Sequence, residues 1–299
     1  MPLFSVVIPL YNKEPHIQRT INSVLAQKIQ DFEIIVVDDG STDNSVEVIK
    51  RFKEQRIRLI KQKNAGVSAA RNRGIKETKA DLIAFLDADD EWTPSFLETV
   101  LRLREKYPEA GAYVTAYEKC DVKGKRLRPS YKKIPPAPWE GLLSNYFLIA
   151  SLQEMPISTS AICIPKSVLT EFGGFQEGLL VWEDSELWGK IALKYKIAFS
   201  HEMGSIYHIG AINRSSHKKY PVSEHPFTKT ALEKIRNNEV PFEILEDLKN
   251  YVAFLQILFA FRNIRDGNHI KAFKVLSIYK TRLLHPKMIG GLFTTLRHR

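Results

Sequence analysis

The sequence predicts an α/β fold in which a mostly parallel central sheet is flanked by helices and followed by a helical C-terminal extension. Three observations carry that expectation. Short β-branched runs alternate with helical-period segments from Phe4 to about Val114. Three of the four runs end directly in polar chemistry, at Tyr11-Asn12, Asp38-Asp39 and Asp87-Ala88-Asp89. Beyond Phe242 the pattern becomes helical and basic. A parallel sheet takes ligands at the carboxyl ends of its strands, so those polar residues are candidates for a site.

The elements follow in order. Residues 4–10 form an apolar run with no basic region before it and no small-residue cleavage site after it, which reads as a buried first strand and not as a secretory signal. Strands are expected over 32–37, 57–60 and 82–86, and helices over 16–27, 45–53, 68–78 and 94–106. Residues 123–139 are basic and contain Pro129, Pro135, Pro136 and Pro138, so they are expected to form a loop between two halves. A strand over 158–164, a turn at Phe172-Gly173-Gly174-Phe175 and a helix over 184–195 opened by an acidic cap come next. Leu187, Ile191 and Tyr195 share one face of that helix. The plan is one domain of two halves, residues 1–115 and 116–225, with a basic extension over 226–299.

Composition narrows the function classes. The 299 residues are 44% hydrophobic and 26% charged, enough for a sizeable core. Two cysteines, Cys120 and Cys163, make neither a disulfide framework nor a spaced metal site. No run reaches the roughly 18 apolar residues that span a bilayer. The reading is a cytoplasmic protein, soluble or peripheral on the inner face of the membrane. Nine of the 44 Lys/Arg but only one of the 34 acids, Asp266, lie in residues 251–299, so most of the net charge of +10 belongs to that segment. With the upstream chain almost neutral and no reading motif, nucleic acid is not an expected partner.

Asp87-Ala88-Asp89 follows the apolar run 82–86. Carboxylate oxygens at a strand end suit a hard cation, Mn²⁺ or Mg²⁺, bridging few protein ligands to substrate phosphates. An isolated triplet of this kind equally suits an acidic turn. Asp38-Asp39 leads into Gly40-Ser41-Thr42-Asp43, where glycine permits a tight turn and Thr42 or Asp43 can cap the next helix. A carboxylate there can accept from a nucleobase imide or a ribose hydroxyl. No G-x-G-x-x-G follows the first strand, which favours a mononucleotide ligand over a dinucleotide. Asn64 opens a small-residue segment ending in Arg71-Asn72-Arg73-Gly74, and Arg71 is a candidate to neutralise a diphosphate. Tyr207-His208 offers an imidazole as a further metal or phosphate ligand.

In this order, Val6-Val7-Ile8-Pro9-Leu10-Tyr11-Asn12, Val36 to Asp43, Asn64 to Gly74, Phe85 to Asp90, Phe172 to Phe175 and Trp182-Glu183-Asp184-Ser185-Glu186-Leu187 resemble the family 2 glycosyltransferases of GT-A fold. The resemblance covers about residues 3 to 200 and leaves the C-terminal third outside. It implies a Rossmann-like donor half that binds a nucleotide diphosphosugar, UDP-linked by preference, through Pro9, Tyr11, Asn12, Asp38, Asp39, Asn64, Arg71, Asp87 and Ala88. It implies a metal and diphosphate site at Asp89 and Asp87, with His208 as the added candidate ligand, and a catalytic base in the Glu183-Asp184 pair. Asp184 suits the proton acceptor for an acceptor hydroxyl, with Glu183 as its rival. The polymer synthases of the family carry a Gln-x-x-Arg-Trp motif and membrane spans, which this chain does not show.

The expected acceptor is a saccharide or lipid-linked saccharide in envelope, capsule or lipopolysaccharide glycan assembly. Bases recurring among apolar residues through Lys271, Lys274, Lys280, Arg282 and Lys287 suit either packing on the catalytic domain or contact with anionic lipid. A rival from another class is a non-catalytic nucleotide-sugar-binding protein on the same fold. A sugar-phosphate nucleotidyltransferase is disfavoured by the lack of a Gly-rich phosphate loop near the N-terminus.

Overall fold

The computed structural model describes residues 1–131, 133–152, 156–214 and 222–283, with side chains through residue 279. Along the chain come β1 (Phe4–Leu10), α1 (Glu14–Leu25), β2 (Phe32–Asp38), α2 (Ser45–Lys50), β3 (Ile57–Lys61), α3 (Val67–Glu77), β4 (Leu82–Phe85), β5 (Glu91–Trp92) and α4 (Phe96–Lys106). There follow β6 (Ala112–Cys120), β7 (Arg126–Leu127), β8 (Glu140–Leu142), α5 (Tyr146–Ala150), β9 (Ile162–Pro165), α6 (Lys166–Phe172) and α7 (Glu183–Lys194). The last elements are β10 (Ile197–His208), α8 (Phe227–Arg236), α9 (Phe242–Arg265) and α10 (His269–Leu283).

Among the described residues the strands form one sheet in the order β3-β2-β1-β4-β9-β6-β10-β5, with β7 added to β6 and β8 to β10. The first four strands are mutually parallel, β9 runs antiparallel between β4 and β6, and β6 and β10 are again parallel. The sheet is therefore mixed but mostly parallel, with helices on both faces. Strand β1 shows why its run is apolar throughout: Val6, Ile8 and Leu10 enter one core cluster while Val7 enters another on the opposite face. Against Val7 lies Gly74 of α3, where a Cβ would meet the valine Cγ1 at 2.3 Å. Helix α1 buries Ile17, Thr20, Ile21 and Val24, a single stripe at helical spacing.

Two expectations need correction. The strand predicted over 158–164 is a 3₁₀ turn over Thr159–Ala161 followed by β9. Ser160 is drawn onto the acidic loop, its hydroxyl donating to Asp90 at 2.6 Å and its carbonyl accepting from the Trp92 indole at 2.7 Å. The loop expected over 123–139 also contributes β7 to the sheet.

Helix α9 settles most of the apolar C-terminal run, because Tyr251 to Leu255, Ile257, Phe259 and Ala260 are buried in the main core. Helix α10 differs, leaving Ile270, Phe273 and Ile278 exposed. The side chains of Lys280 and Arg282, and the whole of Lys287 and the rest of 284–299, lie outside the described residues. No helix among the described residues is long and apolar enough to cross a membrane.

Candidate active site

The strand ends converge as the pattern predicted. Just past β1, Asn12 adopts a left-handed φ of 51°, and its Oδ1 accepts from the backbone N–H of Thr42 at 2.7 Å. Asp43 ties the same two loops by accepting from the N–H groups of Glu14 and Ser45, at 3.0 Å each. Asp38 accepts from Ser41 N–H at 3.0 Å. Asp39 is buried and accepts from Gln62 Nε2 and from the N–H groups of Ala65 and Gly66, at 2.8–2.9 Å. Its carboxylate therefore holds the loop that begins at Asn64 against the end of β2. Gly40, at φ 78°, makes this possible, since any side chain there would be strained and would press on the Asn64 backbone at 3.0 Å. Pro9 is half-buried within β1, while Tyr11 and Asn64 are exposed at the rim of these loops.

In the triplet, Ala88 contributes its carbonyl, which accepts from Thr20 Oγ1 at 3.0 Å. Asp87 pairs with Arg71 at 2.7 Å and Asp89 with Lys13 at 2.6 Å. Lys13 Nζ also donates to the carbonyls of Ile212 and Asn213. Beside them Asp90 is fully buried, accepting from Ser160 Oγ and His208 N–H. Burial first, then the charges of Asp89 and Asp87, push its carboxyl up to about 8.

The Arg71 guanidinium is not turned outward to a diphosphate. It is 3% exposed, lies 5.1 Å over the Phe175 ring, and spans Asp87 and Glu183, the latter at 2.9 Å. Phe175 is delivered there by the Gly173-Gly174 turn, and Asn72 grips its backbone N–H and carbonyl at 2.8 Å each. Two motifs far apart in sequence thus meet through one arginine and one asparagine.

On α7, Glu183 is committed to Arg71, whereas Asp184 accepts from Ser185 N–H at 2.6 Å and from Thr159 Oγ1 at 3.3 Å. Burial chiefly, then the Glu183 charge, push the Asp184 carboxyl up to about 6 against the pull of Arg71. The expected acidic cap is not what opens this helix. Trp182 holds the cap position at φ 66° without a side-chain cap, and the acids sit in the first turn, where the helix dipole favours them.

The His208 ring is engaged by Glu91 at 2.9 Å, so only its backbone N–H reaches the acidic loop. Among the described residues no group of three or more His, Cys, Asp or Glu is disposed to hold a metal ion, and the expected set of Asp87, Asp89 and His208 does not assemble. Two carboxylates nonetheless fit a hard cation that completes its shell with phosphates and water. The Lys13 ammonium marks the Asp89 oxygen as a place where positive charge is accommodated. Lys13, Thr159 and Ser160 were not singled out in the sequence. For Lys13 the signal was a base immediately after Tyr11-Asn12 at a strand end.

The carboxylates of Asp38, Asp39, Asp87 and Asp89 stand at the ends of β2 and β4 in a mostly parallel sheet, an arrangement of the GT-A type. The glycosyl transferase family 2 model matches residues 5–157. An uncharacterized glycosyltransferase of Haemophilus influenzae is 31% identical over 223 residues, covering 73% of this chain and 84% of that protein. Another, from Rickettsia felis, is 34% identical over 197 residues, covering 64% of this chain but only 31% of the relative's length. The chain belongs to glycosyl transferase family 2. Among solved structures, Staphylococcus aureus TarS 1-349 in complex with UDP-GlcNAc superposes with a TM-score of 0.64 at 18% identity, over 93% of this chain and 91% of that one. The mannosyltransferase PcManGT from Pyrobaculum calidifontis, in complex with GDP-Man and Mn²⁺, gives 0.59 at 16% identity, over 99% and 79%.

Proposed function

We propose that the chain is an inverting glycosyltransferase that moves a sugar from a nucleotide diphosphosugar to a hydroxyl of a saccharide or lipid-linked saccharide. The observation that carries this reading is the Arg71 bridge, which sets Asp87 of the acidic triplet and the Glu183-Asp184 turn against one guanidinium. Asp184 is the group suited to take the acceptor proton: its carboxyl is raised to about 6 yet ionised at neutral pH, while Glu183 is held by Arg71. A single displacement at the anomeric carbon, with the nucleoside diphosphate leaving from the opposite face, inverts its configuration.

Pro9, Tyr11, Asn12, Asp38, Asp39 and Asn64 would frame the nucleotide, and Ala88 would line the approach to the diphosphate. Asp89 and Asp87 would hold Mn²⁺ or Mg²⁺, whose charge, when bound, offsets that growing on the leaving diphosphate. The UDP-GlcNAc of TarS and the GDP-Man and Mn²⁺ of PcManGT support donors and a cation of this class, and a UDP-sugar is our preferred donor. Exposed Ile270, Phe273 and Ile278 beside Lys271 and Lys274 on α10 support peripheral contact with anionic lipid on the cytoplasmic face of the membrane, in envelope glycan assembly.

The test is release of UDP or GDP from a panel of nucleotide sugars with Mn²⁺ or Mg²⁺. Asp89→Ala and Asp184→Asn are each expected to abolish most turnover, and turnover surviving both overturns the mechanism.

A further inference from the structure

The turn that carries Asp184 is held from outside the region of family resemblance. Trp182 sits at φ 66°, ψ 17°, a conformation a tryptophan adopts only when its surroundings impose it. Its carbonyl accepts the N–H of Glu186 at 2.9 Å, so this strained residue sets where α7 begins.

The indole ring has two partners. The His225 ring stacks on it, with centroids 5.2 Å apart and planes 28° apart. The Arg262 guanidinium, from the last turn of α9, lies 4.6 Å from its centroid.

A hydrogen-bonded chain supports the same turn. Burial and the nearby Arg262 charge hold the His225 pKa down to about 3, so the ring is neutral. Its Nδ1 accepts from Phe227 N–H at 3.3 Å, which leaves the proton on Nε2, and Nε2–H donates to Ser185 Oγ at 2.9 Å. Ser185 Oγ in turn reaches the Trp182 carbonyl at 3.4 Å. The segment bearing His225 is itself anchored on α9 by the Gln256–Glu224 hydrogen bond.

We infer that Trp182, His225 and Arg262 form a clamp through which α9 positions Asp184 for proton abstraction, with Arg262 its outermost positioning residue. The inference rests on the assignment of Asp184 as base. It makes the C-terminal helices part of the catalytic apparatus. The physical reason is tolerance: a misplacement of about 1 Å in a reacting group costs on the order of 100-fold in rate.

The experiment compares full-length wild type, Arg262→Ala and Arg262→Lys, following UDP release from UDP-GlcNAc or GDP release from GDP-mannose with Mn²⁺, whichever turns over. Arg262→Ala is expected to lower kcat roughly 10- to 100-fold with the donor KM within about twofold, because donor groups lie elsewhere. Arg262→Lys keeps a cation over the ring and should recover most of the loss. A folded Arg262→Ala protein with wild-type kcat overturns the inference, as does a loss that lysine leaves unrepaired.

If Arg262→Ala does not fold, Trp182→Phe against Trp182→Leu gives the same contrast, since only phenylalanine keeps a ring for the guanidinium. Asp184→Asn in the same series separates the two levels. Turnover surviving it removes the base assignment, whereas turnover lost in Asp184→Asn but intact in Arg262→Ala removes the clamp alone.

Discussion

The donor end of the sheet and the α7 turn solve one problem, holding carboxylates in a working geometry, by different means. At the donor end Asp38, Asp39 and Asp43 are held by N–H groups of neighbouring loops, within one run of parallel strands. Around α7, Asp184 and its neighbours depend on Thr159, Arg71, His225 and Arg262, contributed by widely separated elements. Backbone donors at strand ends come with the fold, whereas side-chain clamps must be assembled by packing. The second arrangement should therefore be the more sensitive to substitution.

The largest effect expected is at the base itself. Asp184→Asn should lower kcat on the order of 1,000-fold with little change in donor KM, measured by steady-state product release. The same change should raise the melting temperature, because a carboxyl whose folded pKa lies above its unfolded value costs stability once it ionises. That cost begins as pH rises past the unfolded value and is complete above about 6. A lowered melting temperature would show that the turn needs the charge for its fold.

Next is Arg71, which joins the two regions. Arg71→Met should destabilise the protein by about 3–5 kcal/mol in denaturant unfolding, since Asp87 and Glu183 lose their shared cation. A loss below about 1 kcal/mol, typical of surface pairs, would mean the two regions are held together by packing alone.

A smaller and graded effect concerns pH. With Asp184 titrating at about 6, kcat/KM should be level above that value and fall about tenfold per unit below it. An acid limb near 4 would point to a solvated carboxylate in place of Asp184.

The smallest expected change is at Lys13. Lys13→Ala removes the ammonium 2.6 Å from Asp89, which competes with a cation for the same carboxylate, and should tighten Mn²⁺ binding roughly several-fold by titration calorimetry. Unchanged affinity would show that the ammonium and the metal do not compete.

Much of the fold was legible because its determinants are short-ranged. The run at β1 was bounded to the residue, since both faces of that strand are buried and polar turn chemistry follows at once. The acidic triplet was read from its place after a buried strand, and the structure does bring Asp87 to the turn bearing Glu183 and Asp184. Legibility failed where a local pattern was outvoted. Residues 158–164 read as one strand, yet only Ile162 to Ile164 enter the sheet, and Ser160 bends away to serve Asp90 and Trp92.

The sequence by itself determined the alternation of strands and helices, the carboxyl-end placement of the acids and the helical character of the C-terminal region. Burial periodicity and turn residues act over only a few positions, so one dimension records them. Only the tertiary structure decided that Arg71 faces inward, that Glu183 and not Asp184 is its partner, that Lys13 stands at Asp89, and that α9 reaches the Trp182 ring. Those choices are electrostatic and stacking contacts between residues 112 positions apart for Arg71–Glu183 and 76 apart for Lys13–Asp89, set by how helices and loops pack over the finished sheet.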